Sequence, residues 1–334
     1  MYDIQKPYLL FLGDAPDQLA AKTAAGVAHW CPHDCLGQLR LDGCRADLGL
    51  PDLDLGTASA RGARTLIVGV ANRGGRFSEP WVEILRQALE AGLDLASGLH
   101  NRLADVPVLV ETARDRGRRL FDVRHPRGPL EVGDGRRRAG RRLLTVGTDC
   151  SVGKMYTALA LEREMRGRGL AATFRATGQT GILIAGDGIS VDAVVADFIS
   201  GAVEQLSPAG EPDHWDVIEG QGSLFHASFA GVSLGLLHGA QPDALVLCHE
   251  PTRTHMRGLP AYPLPDLADC IAANEAAARL TNPRVRTVGI ALNTAALEPE
   301  AATALCSEIG TRFGLPCVDP VRNGVAALVD ALPA

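Results

Sequence analysis

Lysine is scarce in this chain of 334 residues. Of its 33 basic residues only three are lysines, Lys6, Lys22 and Lys154, and the others are arginines. A lysine kept in such a composition indicates a site that needs a compact ammonium group rather than a planar guanidinium. Lys154 lies in a loop that contains glycine, so this loop is the first candidate for a functional site.

Other features are also missing, and each absence argues against a class of protein. No apolar run approaches the roughly 20 residues that span a bilayer, so we expect no membrane protein. The formal net charge is −6, which argues against a general nucleic-acid binder. The first residues lack the pattern of a signal peptide. We therefore expect a cytoplasmic protein that binds small molecules, and we expect it to form a homo-oligomer.

The eight cysteines do not form a recognisable metal-binding pattern. Cys31, His33, Cys35 and Cys44 are close in sequence, but their spacing is loose and no second tight pair follows. Cysteines scattered in this way need not pair in a reducing compartment. The sequence therefore predicts no metal site.

The apolar segments that are present predict two α/β domains. Hydrophobic residues make up 46% of the chain, which is enough for a sizeable core. Strand-like and helix-like segments alternate throughout, as in mostly parallel sheets. We assign residues 1–135 to a Rossmann-like α/β domain and residues 136–334 to a P-loop NTPase-like α/β domain. The first predicted strand lacks a following G-x-G-x-x-G, so no dinucleotide site is predicted.

Some details of this prediction are specific enough to compare with a structure. Helices are expected at residues 17–28, 191–205 and 321–332. A polar glycine loop is expected at residues 175–181. The arginine-rich segment 136–142 is expected to be a solvated surface of the linker.

Residues 147–155 read G-T-D-C-S-V-G-K-M and have the layout of a phosphate-binding loop. An apolar run precedes the loop, and a helical pattern begins at Lys154. In such a loop backbone N–H groups converge on an anion, and the helix N-terminus adds its positive dipole. The residues predicted to bind a phosphorylated cofactor are Gly147, Thr148, Cys150, Ser151, Val152, Gly153, Lys154 and Met155.

This loop departs from the common form in two ways. Its spacing is G-x5-G-K, and Met155 stands where a serine or threonine normally binds Mg²⁺. A thioether is a poor ligand for Mg²⁺, which prefers oxygen. We therefore predict a loop that holds phosphates without metal-assisted phosphoryl transfer. Asn293, at the end of a late strand, either faces a purine or simply faces solvent at the end of a packed core strand.

Polar residues after other predicted strands extend the candidate site. Glu219 follows an apolar run and precedes glycines, and its carboxylate is suited to bind a metal, to hold a water or to act as a base. Gln179 and Thr180 follow another strand and are assigned to substrate binding. Arg73 and Arg253 are expected to bind substrate carboxylates.

Several of these segments resemble dethiobiotin synthetase, an enzyme with an ATP-binding loop of G-x5-G-K-T form. The segments are residues 147–154, Gln179-Thr180-Gly181, Glu219-Gly220 and residues 289–293. This resemblance covers only the second half of the chain, and Met155 replaces the threonine that binds magnesium.

A closer resemblance extends along nearly the whole chain. Its segments are A-G-L-D at 91–94, S-G-L-H at 97–100, and residues 147–155, 219–226, 231–238 and 248–250. They are similar to a bacterial family, long of unknown function, whose members include D-glutamate N-acetyltransferases. The resemblance implies transfer of acetyl from acetyl-CoA to the amino group of D-glutamate, with acetyl-CoA as co-substrate and no required metal.

Attack of an amine on a thioester needs a base to take the amine's proton. Glu219, Asp149 and His226 are the candidates, in that order. Two alternative functions stay open, an ATP-dependent ligase of the dethiobiotin synthetase type and a non-catalytic nucleotide-binding module. Met155 favours the transferase or the module over the ligase.

Overall fold

The computed structural model describes residues 1–71 and 74–333, and it divides into two compact units. The first consists of Met1–Arg127 together with Gly178–Ala193, and the second of Gly128–Thr177 and the chain from Val194 onward. The predicted division into residues 1–135 and 136–334 did not include Gly178–Ala193 in the first domain. No helix among the described residues is both long and apolar enough to cross a bilayer.

The first unit contains a five-stranded parallel sheet with the strand order β2-β1-β3-β4-β5. Its elements up to residue 127 are β1 (Tyr8–Gly13), α1 (Lys22–Trp30), β2 (Cys35–Arg40), α2 (Leu55–Ala60), β3 (Thr65–Val68), α3 (Glu79–Glu90), β4 (Asp94–Ser97), α4 (Pro107–Arg116) and β5 (Leu120–Asp122). Every residue of β1, β3 and β4 is buried. Strands buried on both faces need continuous apolar runs, which explains why they are readable in the sequence.

The remaining elements follow in chain order. They are β6 (Arg141–Gly147), α5 (Lys154–Gly167), β7 (Ala172–Arg175), α6 (Gln179–Ala185), α7 (Ile199–Leu206), β8 (Trp215–Ile218), α8 (Ala230–Ala240), β9 (Ala244–His249), β10 (His255–Met256), β11 (Leu259–Pro263), α9 (Leu267–Ala278), β12 (Arg286–Leu292), α10 (Pro299–Phe313), β13 (Cys317–Val318) and α11 (Ala326–Asp330). Of these, α6 belongs to the first unit.

The second unit is built on a six-stranded parallel sheet with the order β13-β12-β9-β6-β8-β7. Strands β10 and β11 form a separate antiparallel hairpin. Strand β6 lies between β9 and β8, so the loop that follows it emerges at the middle of the sheet's carboxyl edge. Ligands of open α/β sheets bind at this edge. The predicted α/β class is confirmed.

Three predicted helices are shorter than expected, and local side-chain contacts explain two of the differences. The observed helices are Lys22–Trp30, Ile199–Leu206 and Ala326–Asp330. Asp17 Oδ1 accepts the N–H of Ala20 at 2.8 Å, and Asp319 Oδ1 accepts the N–H of Val321 at 2.8 Å. Aspartate side chains that bind nearby backbone in this way form turns in place of a first helical turn.

Three helices of the described residues, α2, α6 and α8, were not predicted at all. Helix α6 begins at Gln179, inside the segment 175–181 that was expected to be a loop. Helix α8 contains three glycines. Because glycine has a low helix propensity, the sequence of this segment does not predict a helix. A Cβ on Gly235 would lie 2.7 Å from Ile199 Cγ2, and one on Gly239 would lie 2.4 Å from the carbonyl oxygen of Ser200. Glycine is therefore required by the close packing of α8 on α7, which only the tertiary structure reveals.

The expectation that residues 136–142 form a solvated surface is wrong for Arg142. Its side chain is only 1% exposed, and Nε donates to Ser207 Oγ at 2.9 Å. The Nη2 group donates to the carbonyl oxygens of Ala139 at 3.0 Å and Pro208 at 3.2 Å. By contrast, the Arg136 side chain is 86% exposed. Arg142 thus holds together the start of β6 and the segment that follows α7.

Replacing Arg142 with methionine is expected to lower the free energy of unfolding by about 2 kcal/mol, because several buried acceptors lose their donor. The matched replacement of Arg136 is expected to change it by less than about 0.5 kcal/mol, as for most surface positions. Chemical denaturation of both variants measures the difference. Equal stability of the two variants would contradict the structural role of Arg142.

Candidate functional site

The loop between β6 and α5 has the geometry of a phosphate-binding loop. Gly153, with φ of 102°, and Ser151, with φ of 55°, both have left-handed backbone conformations. A non-glycine residue in that region is uncommon and is found mainly where surrounding contacts impose it, often at functional sites. Strand β9 supports the loop, since the Thr148 N–H donates to the Cys248 carbonyl oxygen at 3.1 Å. The Thr148 hydroxyl lies 3.0 Å from Nδ1 of His249, whose pKa is lowered to about 4 by burial and by Arg253.

Lys154 is folded back onto its own loop. Its side chain is 6% exposed, and Nζ donates to the Asp149 carbonyl oxygen at 2.7 Å. Burial lowers the pKa of this lysine below its ordinary value. Its stem lies against Gly220, where a Cβ would be 2.9 Å from Lys154 Cδ and 1.7 Å from the Thr145 carbonyl oxygen. The glycine after Glu219 is therefore needed for the lysine to lie under the loop.

Asp149 is the organising carboxylate of the loop. It is fully buried; Oδ1 accepts the Cys150 N–H at 2.6 Å, and Oδ2 accepts from Arg253 Nη1 at 2.6 Å. Arg253 also donates to the Cys150 carbonyl oxygen at 2.7 Å and to the Glu250 carboxylate. The guanidinium predicted to bind a substrate carboxylate thus lies against two carboxylates of the protein, and it braces the phosphate loop.

Glu219 directly follows β8 and is buried. Its Oε2 accepts the Thr177 N–H at 2.9 Å, and its Oε1 accepts from Gln221 Nε2 at 3.1 Å. The Thr177 hydroxyl donates to the Glu219 carbonyl oxygen at 2.6 Å. These donors are neutral, whereas Asp149 is held by a guanidinium. The Gly220 N–H donates to Thr145 Oγ1 at 2.9 Å, so Glu219 lies beside the strand that leads into the phosphate loop.

His226 is buried, and both of its ring nitrogens face protein atoms. The Ser228 N–H donates to Nδ1 at 3.2 Å, which assigns the ring proton to Nε2. Nε2 then donates to the Arg257 carbonyl oxygen at 3.1 Å and lies 3.9 Å from Asp149 Oδ1. This arrangement suits a histidine that positions the segment around Arg257.

Asp149, Cys150 and His226 each offer one metal-ligand atom, and these atoms lie within 4.8 Å of one another. Their hydrogen bonds do not fit a metal ion, because Asp149 already binds Arg253 and the His226 ring nitrogens face an N–H group and a carbonyl oxygen. Lys154 and Arg253 also place two positive charges around Asp149. No metal-dependent step follows from this group.

A cavity of about 240 Å³ adjoins the phosphate loop. Its walls include Val152, Gly153, Tyr156 and Asn293. The Asn293 N–H donates to the His249 carbonyl oxygen at 2.8 Å, which fixes the end of β12 beside β9. Pockets for a whole drug-sized ligand measure about 300–1,000 Å³, so this cavity matches a single ring system. Asn293 therefore lines this cavity close to Gly153 of the phosphate loop.

Three other residues, Gln179, Thr180 and Arg73, were predicted to bind the substrate. Gln179 and Thr180 belong to the first unit, where Gln179 accepts from Arg124 and the Thr180 hydroxyl donates to Thr23 Oγ1 at 3.3 Å. Arg73 is outside the described residues. Arg257, four residues after Arg253, also lies at the phosphate loop, where its backbone N–H donates to Asp149 Oδ2 at 2.8 Å.

Comparison with known proteins identifies similar chains. The model of a P-loop domain of unknown function, DUF1611_C, matches residues 131–329, and that of a Rossmann-like domain, DUF1611_N, matches residues 39–126. A curated D-glutamate N-acetyltransferase from Tritonibacter scottomollicae is 57% identical over 331 residues, 99% of each chain. One from Pseudoalteromonas sp is 50% identical over 326 residues, 98% of each chain.

A solved structure is similar along nearly its whole length. The crystal structure of a DUF1611 family protein from Anabaena variabilis has a TM-score of 0.90 and 34% identity, covering 98% of this chain and 99% of that one. The predicted pairing of a Rossmann-like domain with a P-loop domain is confirmed by the two family models.

Proposed function

The chain belongs to the DUF1611 family, and from this premise we propose that it is an N-acetyltransferase that moves the acetyl group of acetyl-CoA to the amino group of D-glutamate. The observation that carries the proposal is the 57% identity over 99% of both chains to a relative of that name. The similarity covers 99% of this chain and therefore both units.

The geometry of the second unit supports a nucleotide-containing co-substrate. Acetyl-CoA carries a pyrophosphate, which suits the N–H groups of the loop and Lys154. Its adenine matches the cavity of about 240 Å³ beside Gly153 and Asn293 in size. Acetyl transfer needs no phosphoryl chemistry, so the presence of Met155 in place of a Mg²⁺-binding hydroxyl is compatible with this use of the loop.

The reaction requires a neutral amine and a base. The nitrogen of D-glutamate attacks the thioester carbonyl carbon, a C–N bond forms, the C–S bond breaks, and CoA leaves as a thiolate that takes up a proton. We assign the removal of the amine's proton to Glu219, because this buried carboxylate directly follows β8 at the carboxyl edge of the sheet, beside the strand that leads into the phosphate loop. Asp149 is bound by Arg253, and His226 is bound by Ser228 and Arg257. We therefore assign both residues to holding the conformation of the loop.

The test is an assay of the purified protein with acetyl-CoA and D-glutamate, measuring released thiol and acetylated product by mass spectrometry. We expect product from D-glutamate, less from L-glutamate, and no change with EDTA or added Mg²⁺. Activity that requires ATP and Mg²⁺ would favour the ligase alternative. Failure of the protein to release thiol with any D-amino acid would refute the proposal.

A further inference from the structure

Arg257 lies on the phosphate loop and is held there from both ends. Its backbone N–H donates to Asp149 Oδ2 at 2.8 Å, and its Nη1 group donates to Ser151 Oγ. Its carbonyl oxygen accepts from the buried His226 ring at 3.1 Å. The residue begins the turn between β10 and β11, so this hairpin places the guanidinium of Arg257 beside Ser151 of the loop.

The charge of Arg257 is not neutralised by a neighbouring carboxylate. Among residues 1–71 and 74–333, no acidic group forms an ion pair with it. Arg253, only four residues earlier, lies against both Asp149 and Glu250. Both carboxylates that contact these arginine side chains are thus bound by Arg253, and the guanidinium of Arg257 forms no ion pair with any acidic group of the described residues.

A diphosphate bound to this loop needs more positive charge than one lysine supplies. In P-loop enzymes that charge comes from Mg²⁺, held by the serine or threonine after the lysine. Here that position is Met155, whose thioether does not suit Mg²⁺. An arginine guanidinium binds phosphate oxygens in a bidentate manner and is always charged, which makes it a suitable replacement.

We propose that Arg257 binds the diphosphate of the co-substrate and takes the place of the metal ion in charge neutralisation at this loop. The inference rests on the proposed function, because the diphosphate is that of acetyl-CoA. Asp149 and His226 are then positioning residues, which hold the backbone on either side of the Arg257 side chain. Ser151, in its left-handed conformation, is the contact that directs the guanidinium.

The experiment compares the binding of CoA and dephospho-CoA by isothermal titration calorimetry. Both ligands contain the diphosphate, and only CoA carries the 3′-phosphate. Arg257→Gln is expected to weaken both by the same factor of about tenfold, equivalent to about 1.4 kcal/mol. Arg286→Gln is the matched control, since Arg286 is an exposed arginine at the start of β12, and it is expected to bind both ligands as the wild type does.

Other outcomes overturn the inference. Weaker binding of CoA alone would assign Arg257 to the 3′-phosphate, and unchanged binding with a raised KM for D-glutamate would assign it to a substrate carboxylate. Should Arg257→Gln not fold, Arg257→Lys decides by the same comparison, because it keeps the charge but loses the bidentate fork. A wild type that binds neither ligand would refute the proposed function itself, whereas wild-type binding that is unchanged in both variants overturns only the role of Arg257.

Discussion

Replacing Glu219 with glutamine is expected to slow acetyl transfer about 10²- to 10⁴-fold, the usual loss when a general base is removed. Glutamine keeps the size and still accepts the Thr177 N–H through its amide oxygen. Its NH₂ group faces Gln221, whose amide reverses to present oxygen. The binding of acetyl-CoA and the fold are therefore expected to be unchanged, and the loss should appear in kcat.

The pH dependence separates a base from a merely structural carboxylate. If Glu219 removes the amine's proton, the deficit of Glu219→Gln should shrink at high pH, where more substrate amine is already neutral. Glu275→Gln is a matched control, because Glu275 accepts the Thr287 N–H at 2.8 Å much as Glu219 accepts that of Thr177. Normal turnover in Glu219→Gln would show that Glu219 is not the base and would leave Asp149 and His226 as the candidates.

Replacing Lys154 with methionine is expected to weaken CoA binding about 100-fold, equivalent to about 2.7 kcal/mol. This is within the range for loss of a hydrogen bond to a charged group. Methionine fills nearly the same volume under Gly220, so the fold is retained. Burial lowers the pKa of Lys154, which means that the charged form is disfavoured in the folded protein. The free energy of unfolding without ligand is therefore expected not to fall.

The remaining lysines provide controls for this result. Lys6 and Lys22 belong to the first unit, and Lys6 forms an ion pair with Asp34 at 2.7 Å. Titration calorimetry of Lys6→Met and Lys22→Met with CoA should give wild-type affinity. Wild-type affinity in Lys154→Met as well would disprove the assignment of the phosphate site.

The predictions that succeeded depend on signals that are local in sequence. The phosphate loop is one continuous segment between an apolar strand and a helix, and its glycines and lysine are needed at set spacings whatever surrounds them. The buried strands of both sheets are readable for the same reason. The resemblance to D-glutamate N-acetyltransferases is confirmed by two curated relatives and by both family models.

The predictions that failed concern residues whose environment is supplied by distant segments. Arg142 looked solvated because its neighbours are arginines, yet its partners Ser207 and Pro208 lie about 65 residues away. Helix α8 was missed because its glycines were selected for packing against α7 and not for helix propensity. The pairing of Arg253 with Asp149, which lies 104 residues earlier, could likewise not be predicted from the local sequence.

The sequence by itself determined the α/β class, the phosphate loop with its lysine, and the family, because each depends on a contiguous pattern of residue types. Only the tertiary structure decided which charged side chains around that loop pair with one another. It joins Asp149 to Arg253 and to the backbone of Arg257, across more than 100 residues of chain. Within the part of the chain that the structure describes, the Arg257 side chain is left without an acidic partner. The identity of a charge's partner is a property of three-dimensional proximity, which the order of residues along a chain does not specify.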